Sequence, residues 1–137
     1  MRQVPGFILW LGHSGDARDL QELFRIGIGA VVDLAMEEPP ASPGREMFYC
    51  RFPLLDGTGN PPWLIRAAIE MTATLLREKV PILVACGGGM SRSPVIAASA
   101  LVKLGHPSLP DALLFLSELG RCDVSAALLQ DVVTATA

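Results

Sequence analysis

The apolar run Pro81–Ala85 (PILVA) restricts the fold of this chain more than any other segment. An apolar run without alternation is typical of a central strand covered on both faces, which requires helices on both sides of a sheet. A glycine-rich turn follows. The next segment, Ser93–Gly105, is apolar all round, which predicts a buried helix that ends at its glycine. We therefore expect a strand–turn–helix unit in the interior of the fold.

The rest of the chain alternates between strand-like and helix-like segments. Short apolar or β-branched runs predict further strands at Phe7–Leu11, Ala30–Leu34 and Met47–Phe52. Helical spacing of apolar residues predicts helices over Ser14–Gly27, Pro62–Glu78 and Ser108–Leu119, and a last helix after Ser125. Ser14 or Asp16 is the expected cap of the first helix, and Ser108 and Ser125 are the expected caps of the last two helices. This order predicts an α/β fold, with a central, mainly parallel sheet flanked by helices.

Composition narrows the function classes. The chain has 137 residues, which favours a single domain over residues 1–137, and its 50% hydrophobic content is enough to form a core. Its net charge of -3 leaves no basic excess to neutralise a phosphate backbone or an anionic membrane surface. We therefore expect neither nucleic acid nor a membrane as a partner.

The cysteines and histidines argue against disulfides and metals. Cys50, Cys86 and Cys122 are an odd number without a CxxC pair, and only His13 and His106 could join them as metal ligands. The apolar run near the N-terminus is shorter than a signal-peptide core or a membrane span. These features predict a cytoplasmic protein with no metal or other cofactor.

The segment Cys86–Arg92, here called the cysteine loop, carries the chemistry. A buried strand ends in Cys86, and Gly87, Gly88 and Gly89 can direct successive N–H groups into one concavity. The N-terminus of the following helix adds partial positive charge, so the turn predicts an anion-binding site that also favours a thiolate. The planar fork of Arg92 could hold two oxygens of a phosphoryl group.

Other phosphate-binding loops do not fit these residues. The turn lacks the Lys-Ser/Thr ending of a Walker A loop, and Gly27-x-Gly29 lacks the third glycine of a dinucleotide fingerprint. Covalent cysteine chemistry on a phosphate ester is the interpretation that uses every residue of the turn.

At this point the sequence resembles the cysteine-dependent protein phosphatases, and within them the small dual-specificity branch. The signature of that family is His-Cys-x-x-Gly-x-x-Arg-Ser/Thr, and residues 85–93 read ACGGGMSRS. Segments before and after the signature also look like the family's opening strand–helix–strand and closing helices, so the resemblance covers nearly the whole chain.

The resemblance implies a role for each matching residue. Cys86 would be the nucleophile and Arg92 would clamp the phosphate. Ser93 would hydrogen-bond the sulfur and stabilise it as a leaving group. Asp56, thirty residues before the cysteine on a predicted loop, would be the general acid. The residues implied to bind phosphate are Gly87, Gly88, Gly89, Met90, Ser91 and Arg92.

The chain departs from the family at Ala85, where the family has a histidine that supports the loop and helps to keep the cysteine ionised.

The leading hypothesis is a monomeric phosphatase that acts on phosphotyrosine, and on phosphoserine or phosphothreonine, in a protein or a small phosphate ester. The alternatives are a catalytically weak phosphate-binding module and a rhodanese-like sulfurtransferase.

For several residues a structural role competes with a functional one. Asp56 could be only a turn residue, since Asp-Gly is a common turn sequence. Asp33 and His13 are expected to be structural. Glu37 and Glu38 are expected to form a solvated loop face together with Arg45, and the alternative is that their loop rims the pocket.

Overall fold

A five-stranded sheet in the order β1-β2-β5-β3-β4 forms the centre of the protein. The computed structural model describes all 137 residues. The strands are β1 (Arg2–Gln3), β2 (Leu9–His13), β3 (Ala30–Ala35), β4 (Phe48–Leu54) and β5 (Ile82–Cys86). Strands β2, β5, β3 and β4 are parallel, and β1 is antiparallel to β2. The predicted α/β class with a mainly parallel sheet is confirmed, whereas β1 has no apolar pattern and was not predicted.

Pairing with the central strand decides where β2 lies. Its residues pair in register with β5 from Leu9 opposite Ile82 to His13 opposite Cys86. The strand therefore begins two residues later than its apolar run, and Gly12 and His13 belong to it because they have partners in β5. Cys86 is the last residue of β5, so it lies at the carboxyl edge of the parallel sheet.

Six helices surround the sheet: α1 (Ser14–Arg18), α2 (Leu20–Ile26), α3 (Pro62–Arg77), α4 (Arg92–Lys103), α5 (Leu109–Ser117) and α6 (Ala126–Thr136). The single helix predicted over 14–27 is wrong, because Asp19 leaves the helical conformation and its side chain accepts a hydrogen bond from the N–H of Glu22 to cap α2. The cap predicted for the first helix is also wrong. The imidazole of His13 caps α1 by accepting from the N–H groups of Gly15 and Asp16.

The helices bury two separate sets of residues against the two faces of the sheet. Alternate residues of β3 and β5 face either a large core shared with α3, α4, α5 and α6, or a smaller cluster beneath α1 and α2. Every residue from Arg92 to Leu101 in α4 is buried, which confirms the predicted buried helix. None of the helices combines the length and the apolar character that crossing a membrane would need.

Candidate active site

Cys86 lies at the base of the cysteine loop with its sulfur facing main-chain donors. The residue is 1% exposed. Its Sγ accepts hydrogen bonds from the N–H of Gly89 at 3.2 Å and from the N–H of Ser93, in the first turn of α4, at 3.4 Å. Two main-chain N–H groups aimed at the sulfur stabilise negative charge there, as an attacking or leaving thiolate requires.

The loop packs directly on the corner between β2 and α1, and this contact requires glycine at position 89. Gly89 has a φ of +77°, and a Cβ there would lie 2.9 Å from the carbonyl oxygen of Gly12. From the corner, the buried Ser14 hydroxyl donates to the carbonyl oxygen of Cys86 at 3.3 Å. A residue with a Cβ could not adopt this backbone conformation at position 89 unless the corner moved.

The structure places the Ser93 side chain differently from the expectation. Its hydroxyl donates to the carbonyl oxygen of Gly12 at 3.4 Å, and its main-chain N–H, not the hydroxyl, faces the sulfur. Because α4 begins directly after the loop, the main-chain N–H of Ser93 lies within hydrogen-bond distance of the sulfur. The Ser93 hydroxyl points instead to the carbonyl oxygen of Gly12 in the corner.

Glu37 binds the guanidinium of Arg92 through both carboxylate oxygens. Nη1 donates to Oε1 at 2.6 Å and Nη2 donates to Oε2 at 2.7 Å, while Nη1 also donates to the carbonyl oxygen of Leu54 at 2.8 Å. Glu37 lies on an exposed loop, as expected, with its side chain 55% exposed, and its carboxylate also pairs with Arg92, which the sequence did not indicate. A buried cation needs a counter-ion, and Glu37 follows β3 at the edge of the sheet that holds the cysteine loop.

The contacts of Arg92 leave one edge of its guanidinium free. Of its five N–H groups, both on Nη1 and one on Nη2 are engaged. Nε is buried and has no hydrogen-bond partner. The free N–H groups on Nε and Nη2 share one edge, and Nη2 lies so close to Gly87 that a Cβ there would be 2.9 Å away. This edge can hold two oxygens of an oxyanion bound in the cysteine loop.

The ion pair shifts the pKa of both partners. Burial by itself would lower the pKa of Arg92, but its hydrogen bonds to Glu37 and the nearby Cys86, Glu37 and Asp56 raise that pKa overall. The hydrogen bonds from Arg92 are also the main reason that the pKa of Glu37 lies below its ordinary value. Both groups therefore stay charged at neutral pH.

Asp56 reaches the cysteine loop through Ser91. Its Oδ1 accepts a hydrogen bond from the Ser91 hydroxyl at 2.5 Å, and the same hydroxyl oxygen accepts from the N–H of Ser125 at 3.0 Å. Asp56 is exposed, so its carboxyl group lies beside the loop and is open to solvent. The structure therefore brings Asp56 to the loop that holds Cys86 and Arg92, although Asp56 lies 30 residues before Cys86 in the chain.

Ala85 is fully buried on the other face of the sheet, beneath α1 and α2. Beside it in register is Asp33, whose carboxylate is bonded to the Tyr49 hydroxyl. Burial, reinforced by Asp33, raises the pKa of Tyr49 to about 12. Asp33 thus has a structural contact, and the Ala85 side chain lies in the cluster beneath α1 and α2.

The other two cysteines have structural surroundings. The thiol of Cys50 donates to the carbonyl oxygen of Val31, and burial raises its pKa to about 11. The sulfur of Cys122 lies 3.8 Å from a guanidinium nitrogen of Arg2. No group of three or more His, Cys, Asp or Glu side chains is arranged to hold a metal ion.

No family model matches the chain. It is 28% identical over 106 residues to human dual specificity protein phosphatase 9, which covers 76% of this chain and 28% of that protein. The chain therefore spans little more than a quarter of the length of this curated relative.

Solved structures show the same fold. A mouse putative dual specificity phosphatase complexed with zinc tungstate has a TM-score of 0.84 at 20% identity and covers 98% of this chain and 84% of its own. The human tyrosine phosphatase-like serine/threonine/tyrosine-interacting protein has a TM-score of 0.80 at 20% identity, covering 99% and 95%. The resemblance seen in the sequence is confirmed: the chain has the fold of solved dual-specificity phosphatases and is similar in sequence to part of a longer dual-specificity phosphatase.

Proposed function

We propose that this protein is a cysteine-dependent phosphatase that hydrolyses phosphotyrosine, and phosphoserine or phosphothreonine, through a cysteinyl-phosphate. One observation carries the proposal: the free, buried edge of Arg92 lies in the same loop as a cysteine sulfur that accepts two main-chain hydrogen bonds. An oxyanion held on that edge would have its central atom close to the sulfur. This arrangement suits nucleophilic attack on phosphorus.

In the first step the Cys86 thiolate attacks phosphorus and the bond to the ester oxygen breaks. Asp56, as a carboxylic acid, gives its proton to that leaving oxygen. Arg92 and the loop N–H groups hold the equatorial oxygens as the phosphoryl group moves to sulfur. The products are an alcohol or phenol and a phosphorylated Cys86.

In the second step water attacks the phosphorus and the sulfur–phosphorus bond breaks. The Asp56 carboxylate takes a proton from the water, and inorganic phosphate is released. The electron pair returns to Cys86, where the N–H groups of Gly89 and Ser93 stabilise the thiolate. A further hydrogen bond from the Ser93 hydroxyl to the sulfur stays a prediction, which requires this hydroxyl to leave Gly12.

The comparisons support the proposal. The curated human relative is named a dual specificity protein phosphatase. The mouse neighbour was solved with tungstate, an oxyanion that resembles phosphate in shape and charge. We expect the substrate to be a phosphorylated protein or a small phosphate ester, and the domain to act as a cytoplasmic monomer.

A phosphate-binding module without efficient turnover is the second candidate. The family histidine is replaced by the buried Ala85, and one structural neighbour is named a phosphatase-like interacting protein. Both candidates predict phosphate binding, and only turnover separates them.

Turnover of p-nitrophenyl phosphate by the wild type and by Cys86→Ser tests the proposal. We expect metal-independent activity that EDTA leaves unchanged, and a loss of at least about 10³-fold in the serine variant, since serine is a far weaker nucleophile at neutral pH. The variant should still bind orthovanadate or phosphate. Cys50→Ser and Cys122→Ser are the controls and should keep wild-type rates.

The outcomes separate the candidates. A wild type that binds phosphate without turning over the ester would support the binding module. Full activity in Cys86→Ser would overturn both the covalent mechanism and the assignment of Cys86.

A further inference from the structure

The loop that carries Asp56, residues 55–61 and here called the acid loop, is held by Asn60. This residue is 7% exposed. Its Oδ1 accepts from the N–H of Leu55 at 2.7 Å, and its Nδ2 donates to the carbonyl oxygens of Leu55 and Gly57 at 3.0 and 3.1 Å. These three bonds join the main chain immediately before Asp56 to the main chain immediately after it.

Asp131 in α6 ties the same loop to the body of the protein. Its Oδ2 accepts from the N–H of Asn60 at 3.2 Å, and its Oδ1 accepts from the Thr58 hydroxyl at 3.3 Å. Asn60 and Asp131 are 71 residues apart in sequence, and Asp131 is partly buried in the contact. One carboxylate therefore engages two positions of the acid loop.

The segment that leads into α6 holds the cysteine loop as well. The N–H of Asp123 donates to the carbonyl oxygen of Met90 at 2.7 Å, and the N–H of Ser125 donates to the Ser91 hydroxyl that binds Asp56. The stretch from Asp123 to Asp131 thus contacts both loops. It fixes the distance between the group that would attack phosphorus and the group that would protonate the leaving oxygen.

We propose that Asn60 and Asp131 are positioning residues for Asp56, and that α6 sets the acid loop against the cysteine loop. This inference rests on the proposed function, in which Asp56 is the general acid. Asp56 must lie within hydrogen-bond distance of the leaving oxygen to transfer its proton. A displaced acid loop therefore slows the first step even when Asp56 itself is intact.

The rates of two esters in Asp131→Asn and Asn60→Ala test the inference. Phenyl phosphate has a poor leaving group that needs protonation, whereas p-nitrophenyl phosphate has a good one. We compare kcat/KM, which reports the first step alone and so leaves out the water step that Asp56 also assists. We expect kcat/KM to fall by about 10-fold or more for phenyl phosphate and by less than about 3-fold for p-nitrophenyl phosphate. Asp111→Asn, which removes an exposed carboxylate in the first turn of α5, is the control and should change neither rate.

A double variant distinguishes positioning from general destabilisation. In an Asp56→Asn background, Asp131→Asn should not lower kcat/KM for phenyl phosphate any further, because the carboxylic acid that it positions is already absent. Equal losses for both esters, or additive losses in the double variant, would overturn the inference.

Hydrogen exchange keeps this inference separate from the proposed function. The N–H groups of Leu55 and Asn60 donate within this network, so Asp131→Asn should speed their exchange in the folded protein while core amides stay protected. A wild type without turnover would refute the proposed function, and exchange would still report whether Asp131 orders the loop. Unchanged exchange at both amides would overturn the positioning role.

Discussion

At the scale of single residues, Arg92 shows why a charge-conserving substitution would not conserve function. Its guanidinium donates hydrogen bonds to both carboxylate oxygens of Glu37 and to the carbonyl oxygen of Leu54. The N–H groups on its remaining edge are free to bind an oxyanion. A lysine has three N–H groups on one atom and cannot fill these positions together. We expect Arg92→Lys to lower kcat/KM for p-nitrophenyl phosphate by more than about 10-fold, a loss of roughly 1.4 kcal/mol.

The matched control for Arg92→Lys is Arg121→Lys, at an arginine whose side chain is 75% exposed. This control should leave kcat/KM unchanged. A loss below tenfold in Arg92→Lys itself would mean that Arg92 does not clamp the transferring group.

Asp56 makes a different residue-scale prediction, because its expected role depends on the leaving group. Asp56→Asn keeps the size of the side chain and an oxygen that can accept from Ser91, but it removes the acidic proton. We expect kcat/KM, which reports the first step alone, to fall by about 10²–10⁴ for phenyl phosphate and by much less for p-nitrophenyl phosphate. Losses of the same size for both esters would show that Asp56 has only a structural role in its turn.

At the scale of elements, the shape of the cysteine loop depends on its contact with the corner between β2 and α1. A Cβ at Gly89 would meet the carbonyl oxygen of Gly12 at 2.9 Å, and the residue has a left-handed backbone. We expect Gly89→Ala to destabilise the protein by about 1–2 kcal/mol in urea unfolding and to weaken phosphate binding.

Gly88→Ala is the control for Gly89→Ala, because at position 88 only the end of Met90 lies within 4 Å of a new Cβ, at 3.8 Å. Its stability should stay close to that of the wild type. If the two variants have the same stability and the same affinity for phosphate, the close approach to Gly12 is not what shapes the loop.

At the scale of the whole molecule, the pair of Glu37 and Arg92 joins the β3–β4 connection to α4. Because the pKa of Glu37 is lowered in the folded state, its stabilising contribution is present above the ordinary value of 4.5 and is lost as the pH falls below it. We expect Glu37→Gln to be less stable than the wild type at pH 7 by about 1 kcal/mol, since the 55% exposed Glu37 side chain is screened by water. Urea unfolding at pH 7 and below pH 4 should show this difference shrinking.

Glu22→Gln is the control for the Glu37 experiment. Glu22 forms a similar bidentate pair with Arg25, and its pKa is also lowered, but the pair lies on the surface. Its removal should change stability very little at either pH. A Glu37→Gln variant as stable as the wild type at pH 7 would show that the buried arginine does not need this counter-ion for folding.

Much of the fold and part of the site could be predicted because they depend on residues close together in the chain. The apolar run before Cys86 and the buried helix after Arg92 place a turn between a strand and a helix whatever surrounds them. The predicted caps Ser108 and Ser125 are confirmed for the same reason, since each side chain accepts a hydrogen bond from an N–H three residues later. The sequence alone therefore determined the α/β class and the cysteine loop.

Only the tertiary structure decided which distant groups complete that loop. Glu37 lies 55 residues before Arg92 and contacts it because β3 and α4 meet at one edge of the sheet. Asp131 reaches the acid loop across 71 residues, and the Ser93 hydroxyl turns to Gly12, 81 residues away. A buried charge or hydroxyl forms its hydrogen bonds with the polar groups that the packed helices and strands place next to it. Which groups these are depends on the arrangement of the elements in space, so no local pattern in the sequence predicts them.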